Sequence, residues 1–204
     1  MQGEVIGIAS FQMVEGQNLN FAIPSEKIVN LNLKEEKKTF ATEELFEPES
    51  QAEKYSDYDQ AYQKALYFMD KEEYDKALFY LEIAIKADDL SLKEYIYIGI
   101  GACYYKLDNY GKAIDAYIQA IRINPNVAST YDNLGVSYIQ LGLYKDAIEA
   151  YKQAIRIDPE HVGSHFCLGL TYIQIGDKSS ALDEYKILKN LDINLANKLF
   201  DYIY

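Results

Sequence analysis

The sequence lacks several residue types on which whole classes of protein depend. In 204 residues it has no tryptophan, four prolines, two histidines and two cysteines. Two cysteines, Cys103 and Cys167, are too few for a disulfide-stabilised scaffold, so we expect two free and mostly buried thiols. With only two histidines, general acid–base catalysis has few candidate groups.

Long apolar runs are also missing. No segment reaches the eighteen or so consecutive apolar residues that cross a bilayer. The first ten residues, MQGEVIGIAS, lack the basic start and the apolar core of a secretory signal. The sequence therefore predicts no membrane insertion, and either a cytoplasmic location for the chain as it stands or a true N-terminus that lies elsewhere.

Positive charge is in short supply. There are 20 Lys and Arg residues against 32 Asp and Glu residues, and the formal net charge is −12. Phosphate contacts need clustered basic side chains, so this balance argues against nucleic acid as a partner. It favours neutral or basic partners, although the acidity also serves simply to keep the protein soluble.

A repeat of 34 residues dominates the rest of the sequence. The strings AIDAYIQAIRINP (113–125) and AIEAYKQAIRIDP (147–159) are nearly identical and begin 34 residues apart. Upstream, Ile100-Gly101 and Leu134-Gly135 keep the same offset. Two weaker copies lie on either side, and their matching residues are Ala77, Leu81 and Ala84, and Leu168, Gly169, Tyr172, Ala181 and Tyr185.

This pattern resembles the tetratricopeptide repeat, in which Trp-x2-Leu-Gly-x2-Tyr is followed by Ala, Phe and Pro at fixed places. Tyrosine or histidine fills the Trp and Phe places here: Tyr97, Tyr131 and His165, then Tyr117, Tyr151 and Tyr185. The repeats fall at 58–91, 94–127, 128–161 and 162–195. The first departs most from the pattern, and Leu92 and Lys93 are inserted after it, so its boundary stays open.

The resemblance implies an all-α fold, a right-handed α-solenoid of helix hairpins. Glycines such as Gly101 and Gly135 leave room for close helix approach. Pro125 and Pro159 end the second helix of their repeats, because proline disfavours a helical conformation in the residue before it. One hairpin cannot bury its apolar face alone, so a stack of about three or more repeats is expected.

Residues 192–204 are predicted to form a capping helix over repeat four. Apolar residues recur there at helical spacing: Leu195, Ala196, Leu199, Phe200 and Ile203. The ending Tyr202-Ile203-Tyr204 is not the polar face expected of a cap. Packing on repeat four, burial in a dimer, and a longer natural chain all remain open explanations.

Residues 1–33 have a different character, with β-branched and aromatic residues and no helical period. They predict a strand at 5–9, a turn at 14–18, a second strand at 19–23 and a short helix after Ser25. The stretches GEVIGI and GQNLNFAIPS resemble the C-terminal end of a trypsin-like serine protease of the HtrA/DegP type. The Gly-Asn-Ser-Gly-Gly motif and the catalytic His and Asp of that family are absent, so no catalytic residue is carried over.

The protease resemblance implies that the chain is a fragment of a longer protease–repeat fusion. A gene that lost its protease part and a chance β-hairpin are the alternatives, and a longer parent would often be exported. Residues 34–57 form a charged linker, either a solvated tether or one with a short helix. No enzymatic activity is expected of this chain.

The tetratricopeptide resemblance implies a ligand-binding groove lined by the first helix of each repeat. The groove residues that this implies are Tyr95, Ile98, Gly99, Ala102, Tyr105, Lys106, Ser129, Asp132, Asn133, Val136, Ile139, Gln140, Phe166, Cys167, Leu170, Ile173 and Gln174. Asn133 stands where many relatives hold a ligand backbone. Relatives that clamp a terminal carboxylate use Lys, Asn and Arg, but the equivalent places hold Ile98, Ala102, Gly163 and Cys167, so a carboxylate clamp is not expected. The alternative is that some of these residues pack within the superhelix.

No cofactor or metal is expected. His161 and His165 have helical i,i+4 spacing, but the cysteines lie on different repeats and no close ligand cluster exists. The expected function is a protein-interaction scaffold that holds a peptide or helix in the groove, as the recruitment arm of a protease fusion. The alternatives are a fragment of a trypsin-like endopeptidase, and a self-assembly module using the C-terminal helix or the N-terminal hairpin.

Overall fold

The computed structural model describes residues 57–87 and 90–204. Within these ranges the chain forms nine α-helices and no strand. The helices are α1 (Asp57–Asp70), α2 (Tyr74–Ala84), α3 (Leu90–Lys106), α4 (Tyr110–Ile123), α5 (Ala128–Gln140), α6 (Tyr144–Ile157), α7 (Val162–Gln174), α8 (Lys178–Leu191) and α9 (Ile193–Ile203).

The helices pack as consecutive antiparallel pairs. Helices α1 and α2, α3 and α4, α5 and α6, and α7 and α8 form four hairpins, each packed against the next. The last helix, α9, packs on both helices of the fourth hairpin. An all-helical solenoid is therefore confirmed over the described residues.

Two boundaries can be compared with the sequence-based prediction. Helix α3 begins at Leu90, so Leu92 and Lys93 lengthen the first helix of repeat two instead of forming a loop before it. Asp57, the last residue of the predicted linker, is the first residue of α1. The predicted β-hairpin and protease-like segment (1–33), and the remainder of the linker, lie outside the described residues.

The repeat glycines are required by tyrosine rings. A Cβ added to Gly101 would lie 2.6 Å from Cε1 of Tyr117, and one added to Gly135 would lie 2.6 Å from Cε1 of Tyr151. Both rings are buried. The glycines therefore do allow the close approach expected from the sequence, and the group that approaches each one is the aromatic ring of its own hairpin.

The ends of the second helices control how each hairpin meets the next. Asn124 and Asp158 have extended backbones, with φ of −135° and −130°, and each precedes a proline. Asp192 is equivalent and has φ of −150°, but Ile193 follows it in place of proline. The Asp192 side chain accepts hydrogen bonds from the backbone N–H groups of Asn194 and Leu195, so α9 begins immediately.

The capping helix α9 buries only part of its predicted apolar stripe. Ala196, Leu199 and Ile203 are buried against repeat four, whereas Phe200 remains 39% exposed. Leu199 reaches Gly169, since a Cβ added there would lie 2.6 Å from Cδ2 of Leu199. The last helix therefore fills a space in the fourth hairpin as well as covering it.

Candidate functional site

The predicted groove residues lie along α3, α5 and α7, the first helices of repeats two to four. We call the surface that these three helices present at those positions the first-helix face. Many of its predicted members are buried by neighbouring repeats: Ile98, Gly99, Ala102, Asn133, Val136, Ile139, Phe166, Cys167 and Leu170. These residues lie in the packed interior of the stack, which agrees with the alternative interpretation that some of them pack within the superhelix.

The remaining predicted members are accessible. Those that are half-buried are Tyr95, Tyr105, Ser129, Asp132, Gln140 and Ile173, and those that are exposed are Lys106 and Gln174. This accessible part combines aromatic, amide, hydroxyl and carboxylate groups. Such a mixture can bind both the apolar side chains and the backbone polar groups of a peptide.

Hydrogen bonds connect neighbouring first helices across this face. Nε2 of Gln140 donates to the hydroxyl of Tyr105 over 3.2 Å, which joins α5 to α3. Oγ of Ser164 donates to Oδ1 of Asp132 over 2.7 Å, which joins α7 to α5. Both bonds hold side chains of neighbouring first helices in fixed positions relative to each other.

Asp132 has an unusual environment for a carboxylate. Burial raises its pKa, and the Ser164 hydrogen bond and the nearby His161 ring act in the opposite direction. Ser164 itself is fully buried. The prediction from sequence included Asp132 but missed Ser164 and His161, because their roles depend on how repeat four docks on repeat three.

His161 acts as the N-cap of α7. Its Nδ1 accepts a hydrogen bond from the backbone N–H of Ser164 over 3.2 Å, and it lies 2.8 Å from Oγ of the same residue. The only signal in the sequence was its place directly before the apolar pattern of α7, where Ser, Thr, Asp or Asn is the usual cap.

Asn133 follows Asp132 but faces the packed interior. Its side chain is 6% exposed, and its Nδ2 atom is buried without a hydrogen-bond partner. An unsatisfied amide of this kind costs about 1–3 kcal/mol. In this structure Asn133 cannot reach a ligand backbone without a local movement.

His165 joins repeats three and four inside the stack. Its Nδ1 lies 2.6 Å from Oε2 of Glu184, and its Nε2 lies 3.0 Å from the carbonyl oxygen of Pro159. Burial lowers the pKa of His165, but the hydrogen bonds to Glu184 and Pro159 and the charges of Glu184 and Asp158 outweigh it, so the pKa is raised overall. The residue is 3% exposed and so holds the buried aromatic place expected for it.

Metal and thiol chemistry find little support in the structure. Over residues 57–87 and 90–204, no group of three or more His, Cys, Asp or Glu side chains is arranged to hold a metal ion. Cys103 and Cys167 are free and buried. Burial raises the pKa of Cys103 to about 12 and also raises that of Cys167, and a protonated thiol is a poor nucleophile. None of the described helices is both long enough and apolar enough to cross a membrane.

Family models of the tetratricopeptide repeat match two overlapping segments, residues 92–160 and 133–192. These segments are made of tetratricopeptide repeats. The matches extend from α3 to the end of α8 and include the whole first-helix face. No curated protein matches the chain in sequence.

Solved structures of tetratricopeptide proteins share the fold. A crystal structure of MamA superposes with a TM-score of 0.64 at 26% identity, covering 69% of this chain and 81% of that one. MamA (residues 41 to the end) from Desulfovibrio magneticus RS-1 gives a TM-score of 0.61 at 21% identity, covering 68% and 77%. A tetratricopeptide repeat protein from Parabacteroides merdae gives 0.66 at 20% identity, covering 72% of this chain and 58% of that one. The last two likenesses show the fold alone.

Proposed function

We propose that this protein is an interaction scaffold whose first-helix face binds a peptide or helical segment of a partner protein. Tetratricopeptide repeats support a scaffold role in general. The observation that carries the proposal here is the row of half-buried polar groups on α3, α5 and α7. Burial of the neighbouring residues narrows the proposed contacts to Tyr95, Tyr105, Lys106, Ser129, Asp132, Gln140, Ile173 and Gln174.

The binding would rest on two kinds of contact. Tyr105 and Ile173 offer apolar surface that is only partly covered in the free protein. Ser129 and Gln140 offer a hydroxyl and an amide, which can donate to and accept from a ligand backbone. Because Gln140 and Asp132 already hydrogen-bond to neighbouring first helices, ordering their side chains would add little cost on binding.

A peptide selection tests the proposal. Peptides are selected from a random dodecapeptide phage library on the purified chain, and the best one is synthesised and titrated by calorimetry. Tyr105→Ala should weaken binding at least about tenfold, because aromatic anchors commonly contribute more than 1.4 kcal/mol. Lys152→Ala, on the exposed side of the second helix α6, is the control and should leave binding unchanged. If the Tyr105→Ala protein binds the peptide with unchanged affinity, the site assignment fails.

The protease connection is a second part of the proposal. Residues 1–33 support it only through their resemblance to the end of a trypsin-like domain, and the scaffold would then be a recruitment arm. Immunoblotting source cells with an antibody to residues 90–204 tests this. A native product well above 23.4 kDa that also carries a serine protease domain would support the fusion, and a product of 23.4 kDa would contradict it.

Self-assembly is an alternative function favoured by one observation. Phe200, Tyr202 and Tyr204 are exposed at the end of α9, and the rings of Phe200 and Tyr204 form a cluster with Tyr185. Contiguous exposed apolar patches commonly mark contacts between chains. Sedimentation of the wild type and of a Tyr202→Ser/Tyr204→Ser variant would decide, since a stable oligomer that dissociates in the variant would favour this role.

A further inference from the structure

The carboxylate of Asp132 lies on α5, on the first-helix face. In the part of the chain that the structure describes, no Lys or Arg side chain forms an ion pair with it. It is nevertheless half-buried, and its charge is partly removed from water. Carboxylates in such places are usually paired, because an unpaired charge loses hydration without compensation.

The neighbouring histidine forms no ion pair with Asp132 among the described residues. Nδ1 of His161 accepts the backbone N–H of Ser164 over 3.2 Å and lies 2.8 Å from Oγ of the same residue. The Ser164 hydroxyl donates a neutral hydrogen bond to Oδ1 of Asp132 over 2.7 Å, the only hydrogen bond that the described residues make to that oxygen.

The other carboxylate oxygen lies near Gly163 and His161. A Cβ added to Gly163 would lie 4.0 Å from Oδ2 of Asp132 and 3.5 Å from Cε1 of His161. Among the described residues, Ser164 donates to Oδ1 and no hydrogen bond reaches Oδ2. Asp132 is half-buried, so part of the residue remains accessible on the first-helix face.

We infer that the bound segment places a lysine or arginine side chain against Oδ2 of Asp132, so that the ligand is a basic peptide. This inference rests on the proposed function and specifies its ligand. The positions at which related proteins clamp a terminal carboxylate hold uncharged residues here. The net charge of −12 would attract basic ligands and accelerate their association. Ser164 would keep Asp132 in position while the incoming cation replaces lost hydration.

A double-mutant cycle tests the pairing. The selected dodecapeptide is synthesised in its original form and in forms in which one basic residue is replaced by glutamine. Each form is titrated into the wild type and into Asp132→Asn at pH 8. The amide oxygen that this substitution introduces would still accept the Ser164 hydrogen bond, so the variant removes the charge and keeps the geometry. Asp115→Asn, a change at an exposed carboxylate on α4, is the matched control.

Replacing one basic residue of the peptide with glutamine should lower its affinity about tenfold or more for the wild type and for Asp115→Asn. The same replacement should leave the affinity for Asp132→Asn unchanged. The wild-type affinity should also fall as salt is raised from about 50 to about 300 mM. Equal affinity for the basic and glutamine peptides would overturn the inference while leaving the proposed function intact. If no selected peptide binds the first-helix face at all, the proposed function itself fails.

Discussion

In the middle repeats and in the last repeat, different residues fill the space beside the glycine of the first helix. In repeats two and three, the glycine of the first helix faces a tyrosine from the second helix of the same hairpin. In repeat four, Gly169 faces Leu199 from α9. Tyr185, which occupies the equivalent tyrosine position, lies half-buried with its ring 5.3 Å from that of Phe200.

This difference shows that the space beside the glycine must be filled, whichever element supplies the side chain. Protein interiors are close-packed, and an empty space beside the glycine would remove van der Waals contacts from the side chains around it. An interior hairpin fills the space from within itself. The last hairpin depends on α9, so we regard repeat four and α9 as one packing unit.

The largest effect is expected from Leu199→Ala. Removing a fully buried leucine beside Gly169 should lower the free energy of unfolding by about 2–5 kcal/mol, through lost burial and the remaining cavity. Urea unfolding measures this. Ile193→Ala, at a 51% exposed residue of the same helix, is the control and should cost about 0.5 kcal/mol or less. Similar costs for the two variants would contradict the packing role assigned to Leu199.

The next effect concerns the glycines themselves. Gly135→Ala should cost about 1–3 kcal/mol, because the added methyl group meets the buried ring of Tyr151. Gly169→Ala should cost less, since it meets the terminal methyl groups of Leu199, which can move more easily. Thermal unfolding of both variants measures the difference. A larger loss for Gly169→Ala than for Gly135→Ala would contradict this reasoning.

A smaller, pH-dependent contribution to stability distinguishes repeat four from repeats two and three. His165 stands where repeats two and three have Tyr97 and Tyr131, and its pKa is raised in the folded protein. The folded state therefore binds the proton more tightly than the unfolded state. This contribution is fully present below the ordinary histidine pKa of about 6.5, and it is lost as pH rises through the raised value.

Glu184→Gln tests this contribution. The variant should lose about 1 kcal/mol of stability at pH 6, because it replaces a charge-assisted hydrogen bond of the buried His165 with a neutral one. Its stability should also depend less on pH between about 6 and 9 than that of the wild type. Glu149→Gln, at an exposed glutamate on α6, should show the wild-type slope. An unchanged slope in Glu184→Gln would show that His165 is not the group responsible.

The sequence predicted the parts of the fold that depend on spacing within one repeat. The glycines at Gly101 and Gly135, the buried place of His165 and the apolar stripe through Leu199 all follow from periodic positions along the chain. It could not predict which groove positions stay accessible. Whether Asn133 or Asp132 reaches the surface depends on the distance between neighbouring hairpins, and no single repeat contains that information.

The cap of α7 shows the same limit. From its place in the repeat, His161 is only a residue of the turn between two hairpins. In the structure its ring accepts the backbone N–H of Ser164, and Ser164 in turn positions Asp132 of the preceding repeat. The bond to Asp132 forms only when two repeats are docked. The candidate site is therefore a property of the stack, whereas the helices are properties of each repeat.

Native-state hydrogen exchange, followed by NMR in increasing denaturant, most directly tests the claim that repeat four and α9 form one unit. The amides of α9 around Leu199 should exchange with the same opening free energy and denaturant dependence as those of α7 around Gly169, since the two helices would open together. Opening of α9 at a free energy several kcal/mol lower, with α7 still protected, would contradict this claim and show that α9 opens independently of repeat four.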